Sequence, residues 1–150
     1  MNDFGRRLSW HGMCLFLLGL ITGFAEQNFA NVRMGLAAHL EGVMNGTFLI
    51  ALGAVWVRVG LPSRMKSLAF GAALYGTYAN WLLTVFAAVF GTASLSPITG
   101  APHSAPAWQE NVVAFGFPTV GIAMVLCSVL VLWGLRGGKL PADSDQVASR

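Results

Sequence analysis

Residues 34–57 read MGLAAHLEGVMNGTFLIALGAVWV, and their only formal charge is Glu41. As a helix rising ~1.5 Å per residue, a stretch of this length exceeds the ~30 Å of a bilayer's hydrocarbon core. It therefore predicts a membrane-spanning helix. Within two turns it also carries His39, Glu41 and Asn45, at a depth where polar groups are costly. An ionisable residue inside a bilayer marks function by default, since insertion scales charge about 2.5–3.5 kcal/mol for an Asp, Lys or Arg at helix centre.

Outward from this stretch the same character persists. The chain has 150 residues, 55% hydrophobic and 10% charged, with a mean hydropathy of +0.64, outside the range of ordinary water-soluble domains. Further apolar segments at 9–30, 67–91 and 112–135 predict an all-α, integral-membrane four-helix bundle. Residues 1–136 form its single domain, and GGKLPADSDQVASR (137–150) is read as a disordered cytoplasmic tail. Arg6 and Arg7 precede the first segment as they would in a secretory leader, but no small-x-small cleavage site followed by a soluble domain comes after it. It is read as a span.

Cation placement orients the bundle, because Lys and Arg are retained on the cytoplasmic side. With both termini cytoplasmic, Arg33 is the one cation of nine that falls outside. The net charge of +3 then reports topology, and no nucleic-acid surface is indicated. Cys14 and Cys127 lie within apolar segments, where a thiol acts as a small hydrophobe. CxxC, HExxH and G-x-S-x-G motifs and phosphate-cradling glycine loops are absent.

The turn GLPSRMK (60–66) combines helix breakers with basic anchors, and the segment from Gly91 to Gln109 suits an extended outer loop ending at an interfacial Trp108. Gly12, Gly19 and Gly23 line one stripe of the first helix. Gly35, His39, Gly42, Gly46 and Gly53 share one face of the second at ~100° per residue. Such faces mark either a tight helix crossing, with His39 bonded to a neighbour, or a seat for something flat that the imidazole ligates. Glu41 and Asn45 share another face, as do Thr77, Asn80 and Thr84 on the third helix. Two polar stripes predict a common interior pocket. Glu41 near the outer interface has Arg33 as a prospective partner, and His11, close to the cytoplasmic end, is most simply a solvated or snorkelling interface residue.

At HLEGVMNG (39–46) the chain resembles the hydroxylaminobenzene mutase family, small bacterial membrane proteins related to styrene oxide isomerases. The likeness runs through LFLLGLITG (15–23), NVRMGLAAHLEGVMNGTFLIALG (31–53), YGTYANW (75–81) and WQE (108–110). It implies a multi-pass protein of the bacterial inner membrane, acting in aromatic-compound catabolism as a homotrimer with haem b between subunits. By resemblance His39 is the axial iron ligand, with Gly35, Gly42 and Gly46 giving room to the ring. Asn45 and Asn80 lie toward the substrate. The isomerases carry a tyrosine where this chain has Thr84, so Tyr78 is the alternative source of a hydroxyl.

The reaction implied is conversion of an arylhydroxylamine to a 2-aminophenol, with ferric iron as Lewis acid and Glu41 as proton shuttle. The alternatives are isomerisation of an aryl epoxide to an arylacetaldehyde, a non-catalytic haem-bearing electron-transfer subunit, and a structural or transport protein without cofactor.

Overall fold

The computed structural model describes residues 3–136, so the tail from 137 lies outside the described residues. Four long helices, α1 (Phe4–Ala25), α2 (Val32–Val55), α3 (Ser63–Phe90) and α5 (Ala107–Leu135), run up and down, with one short turn of helix, α4 (Pro97–Gly100), between the last two. No strand occurs among the described residues. All four long helices are long and apolar enough to cross a membrane, and the chain is read as a multi-pass membrane protein.

Each long helix begins before the apolar window that predicts it. α1 begins at Phe4 instead of residue 9 because Asp3 Oδ1 accepts the Arg6 backbone N–H at 3.1 Å, which starts the helix within its basic flank. α2 starts where Asn31 Oδ1 accepts from Met34 N at 3.1 Å. Asn31 does more than cap: its own N–H donates to Ala88 O (3.0 Å) and its Nδ2 to Thr99 O (2.7 Å), tying α2 to the end of α3 and to the loop between α3 and α5. α3 ends at Gly91, whose φ of +66° is the left-handed stop that glycine adopts without cost.

α1 packs along α2, α2 against α3, and α3 against α5. Near one end the core comprises Leu8, Leu49, Leu52, Trp56, Phe70 and Leu130; toward the other lies a smaller cluster of Met34, Ala87, Ala88 and Val113. Large apolar side chains such as Phe24, Val57, Phe115 and Ile122 point outward, as expected where the surroundings are lipid. The α1–α2 crossing is set by glycine. A Cβ on Gly12 would lie 2.7 Å from Gly46 O, one on Gly19 2.6 Å from Val43 N, and one on Gly53 2.7 Å from Gly5 O. Backbones this close gain dispersion contacts over their length, which replaces the hydrophobic drive that lipid removes.

Candidate functional site

Glu41, on α2, faces α3. Its Oε2 accepts Asn45 Nδ2 at 3.1 Å and Asn80 Nδ2 at 2.5 Å, so the two polar stripes do converge. They border a recess of about 280 Å³ lined by Glu41, Asn80 and Thr84, by the apolar Met34, Ala37 and Phe117, and by Leu95, Ser96 and Thr99 of the loop between α3 and α5. Thr84 is buried and donates to Asn80 O (2.8 Å). Glu41 bonds no cation; among the described residues the one ion pair is Arg6–Asp3 at the other end of the bundle, so the expected Arg33 partner is replaced by two amides.

The roof of the recess comes from Glu110 in the first turn of α5. Its carboxylate accepts the backbone N–H groups of Ala93, Ser94 and Ala105 at 2.8–3.1 Å. One side chain thus gathers both ends of the loop that carries Leu95, Ser96 and Thr99. The sequence offers a faint signal for it: Glu110 is the first charge after a long uncharged loop.

His39 lies on the other side of α2, about 200° from Glu41 at ~100° per residue. Its Nδ1 is 2.8 Å from Gly19 O. A carbonyl only accepts, so Nδ1 carries a proton, and whenever the ring holds a single proton the lone pair is at Nε2. That nitrogen bonds nothing among the described residues and is not sealed from the surface. Gly23 makes room for the ring: a Cβ there would lie 2.7 Å from Nδ1.

The glycines assigned to a flat ring are otherwise occupied. A Cβ on Gly46 would meet Phe16 N at 2.5 Å, and one on Gly42 would run into Gly19. Gly35 is covered by Glu26 and Phe29 of the α1–α2 connection, each 3.0 Å from the Cβ position. The stripe exists, but α1 fills it, because two backbones can approach this closely only where both lack side chains. Tyr78 is likewise not brought to the recess: its hydroxyl donates to His11 O (3.2 Å) and lies 3.3 Å from His11 Nδ1. His11 is half-buried and paired with this tyrosine, beside Arg6, Arg7 and Trp10 at the end of α1. Of the remaining polar groups on α3, Thr77 donates to Ala73 O (2.8 Å) and Tyr75 pairs with Thr119 (2.6 Å).

A wider cleft of about 740 Å³ opens at the basic end between α1, α2 and α3, lined by Asp3, Arg6, Ser9 and Lys66 among others. It holds none of the α2 polar residues. The recess beside Glu41 joins a half-buried carboxylate, a carboxamide and an apolar wall, a combination suited to a small aromatic molecule with one polar end.

The family model described as styrene oxide isomerase matches residues 4–136. The chain belongs to the styrene oxide isomerase family. Among curated relatives of this family member, hydroxylaminobenzene mutase HabB of Ectopseudomonas oleovorans is 44% identical over 145 residues, covering 96% of this chain and 88% of its own. Hydroxylaminobenzene mutase HabA of the same organism is 40% identical over 125 residues, covering 83% and 93% respectively. No solved structure matches significantly. The family and both relatives are isomerases by name, and this family member is an isomerase.

Proposed function

We propose that this isomerase is a hydroxylaminobenzene mutase that converts an arylhydroxylamine to a 2-aminophenol. The observation that carries this reading is the Glu41 carboxylate at the wall of an apolar recess, held through Oε2 by two amides, with Oε1 unbonded among the described residues and not sealed. In the mutase reaction the N–O bond breaks and a C–O bond forms at the ortho carbon. One proton leaves that carbon and one is gained at nitrogen, with no net transfer of electrons. Glu41 Oε1 is the group that carries this proton. The epoxide route, a 1,2-hydride shift, has no such need, and identity to two proteins named hydroxylaminobenzene mutase supports the same choice. Met34 and Phe117 keep the recess apolar, which protects an electron-poor ring from indiscriminate attack by water.

The proposed cofactor is haem b. Among the described residues no three His, Cys, Asp or Glu converge to cage a bare ion, so a lone imidazole suits an iron that brings four ring nitrogens of its own. His39 fits as the axial ligand: the Nδ1–H bond to Gly19 O fixes the tautomer and orientation, as a backbone carbonyl does for ligating histidines generally. Bound ferric haem would supply a Lewis-acidic iron with one position open to the substrate oxygen. The α1–α2 crossing leaves no space for the ring, which would lie outside it.

His39 and Glu41 face opposite sides of α2, so within one subunit they do not meet around one ligand. That favours an assembly in which the His39 face of one subunit adjoins the recess of the next, as in the homotrimer that the resemblance implies. Arg6, Arg7, Arg58, Arg64, Lys66 and Arg136 flank one end of the bundle and Arg33 the other, which supports a bacterial inner-membrane protein with cytoplasmic termini.

Incubating membranes with phenylhydroxylamine and with styrene oxide tests the reaction. 2-Aminophenol is the expected product, and arylacetaldehyde from the epoxide with no 2-aminophenol would overturn the proposal in favour of an epoxide isomerase. His39→Ala should lose the Soret band and turnover together while still inserting and assembling. A variant with full Soret absorbance refutes the ligand assignment.

A further inference from the structure

We infer that Glu41 is also a positioning residue, which fixes the amides of Asn45 and Asn80 so that the recess selects ligands bearing N–H or O–H donors. This deepens the mutase reading and rests on it for the identity of the substrate. Glu41 Oε2 receives two N–H groups, at 3.1 and 2.5 Å, so it is an acceptor and carries no proton. Neither asparagine can turn its carbonyl oxygen toward it without setting lone pairs against lone pairs. The flip of both amides is therefore set by Glu41.

The consequence falls on Asn80, which lines the recess. Its Oδ1 is turned away from Glu41, has no partner among the described residues, and is not sealed. Thr84 has committed its hydroxyl proton to Asn80 O and retains only lone pairs. From α2 and α3 the recess thus offers acceptors: Glu41 Oε1, Asn80 Oδ1 and Thr84 Oγ1. An arylhydroxylamine brings both an N–H and an O–H to meet them. An aryl epoxide brings an acceptor alone, leaving its own oxygen and these groups unpaired unless the loop hydroxyls of Ser96 or Thr99 reach it. Sites built to hydrogen-bond a ligand reject analogues lacking the matching group far more strongly than apolar pockets reject a change of size.

The test uses two unreactive ligands close in shape to phenylhydroxylamine: benzyl alcohol, which keeps the O–H donor, and anisole, which has an acceptor only. Their affinities for the full-length protein in bilayer nanodiscs are measured directly, together with 2-aminophenol formation. Comparing each variant with wild type in the same bilayer cancels the ligands' own partition into lipid. The preference for benzyl alcohol over anisole should fall about tenfold in Glu41→Gln, because the glutamine amide donates as well as accepts and releases Asn80 to flip. A merely structural role for Glu41 would weaken both ligands alike and leave the ratio intact. Asn80→Ala, which removes the acceptor itself, should collapse the same ratio and serves if Glu41→Gln does not assemble. An unchanged ratio in either assembled variant overturns the assignment. A wild-type protein that shows the ratio yet forms no 2-aminophenol would instead overturn the proposed reaction and leave the assignment standing.

Discussion

Replacing Gly23 by alanine should unseat His39 while sparing the fold. The added methyl carbon would sit 2.7 Å from Nδ1, 3.1 Å from Cε1 and 3.2 Å from Cγ of the imidazole. Carbon–heavy-atom contacts are comfortable at about 3.5–4.0 Å, so the ring must withdraw by about 1 Å. The bond from Nδ1 to Gly19 O starts at 2.8 Å and would then exceed the ~3.2 Å that such bonds tolerate. Its loss costs stability about 0.5–1.5 kcal/mol. On the proposed ligation, an iron held at Nε2 would be affected more, because removing the group that orients a ligating histidine lowers metal affinity by about 10–100-fold. The clash is with the end of a side chain and not with backbone, so the helix crossing survives. The assay is a haem titration followed at the Soret band, paired with ¹⁵N NMR of histidine-labelled apoprotein to report the tautomer. Wild-type haem affinity with Nδ1 still protonated and bonded would refute the reasoning.

The neighbouring glycine should behave in the opposite way. In Gly19→Ala the new Cβ meets the backbone of α2, 2.6 Å from Val43 N and 2.7 Å from Gly42 C; overpacking should cost about 1–3 kcal/mol, read as a lower unfolding midpoint in detergent whether or not haem is supplied. Glu110→Ala removes the acceptor shared by Ala93, Ser94 and Ala105 N–H, so these amides should exchange hydrogen at least tenfold faster while those of mid-α2 do not change, and substrate affinity should fall as the roof of the recess loosens. At the opposite end, the Arg6 backbone N–H and then the Arg6 side chain hold the Asp3 carboxyl below its ordinary 3.8. A depressed carboxyl contributes stability above the unfolded value that is lost as pH falls through the folded one. Protection of the first α1 amides should therefore be level from pH 7 to about 5 and decline below about 4, as hydrogen exchange would show; protection that rises on acidification contradicts the cap.

The sequence determines the four spans, because nothing but a helix of ~20 apolar residues satisfies its own backbone in lipid. It also determines which residues share a face, because the helical period is fixed: Gly12, Gly19 and Gly23 do form one packing stripe, and Glu41 and Asn45 do lie one turn apart on the side that meets Asn80 and Thr84. A period does not say what the face meets. In a membrane, the side turned to lipid and the side turned to another helix are both apolar, so composition cannot choose between them. Tertiary structure decided that the glycine stripe of α2 receives α1, that His39 rests on Gly23 with Gly19 as its acceptor, and that Tyr78 turns to His11 and away from Asn80. It also decided the two placements that give the recess its chemistry, Glu41 between two amides and Glu110 beneath the loop between α3 and α5. Each joins residues at least 16 positions apart or brings a third group to a local pair, and such convergence is set by how helices stack, which no single helix encodes.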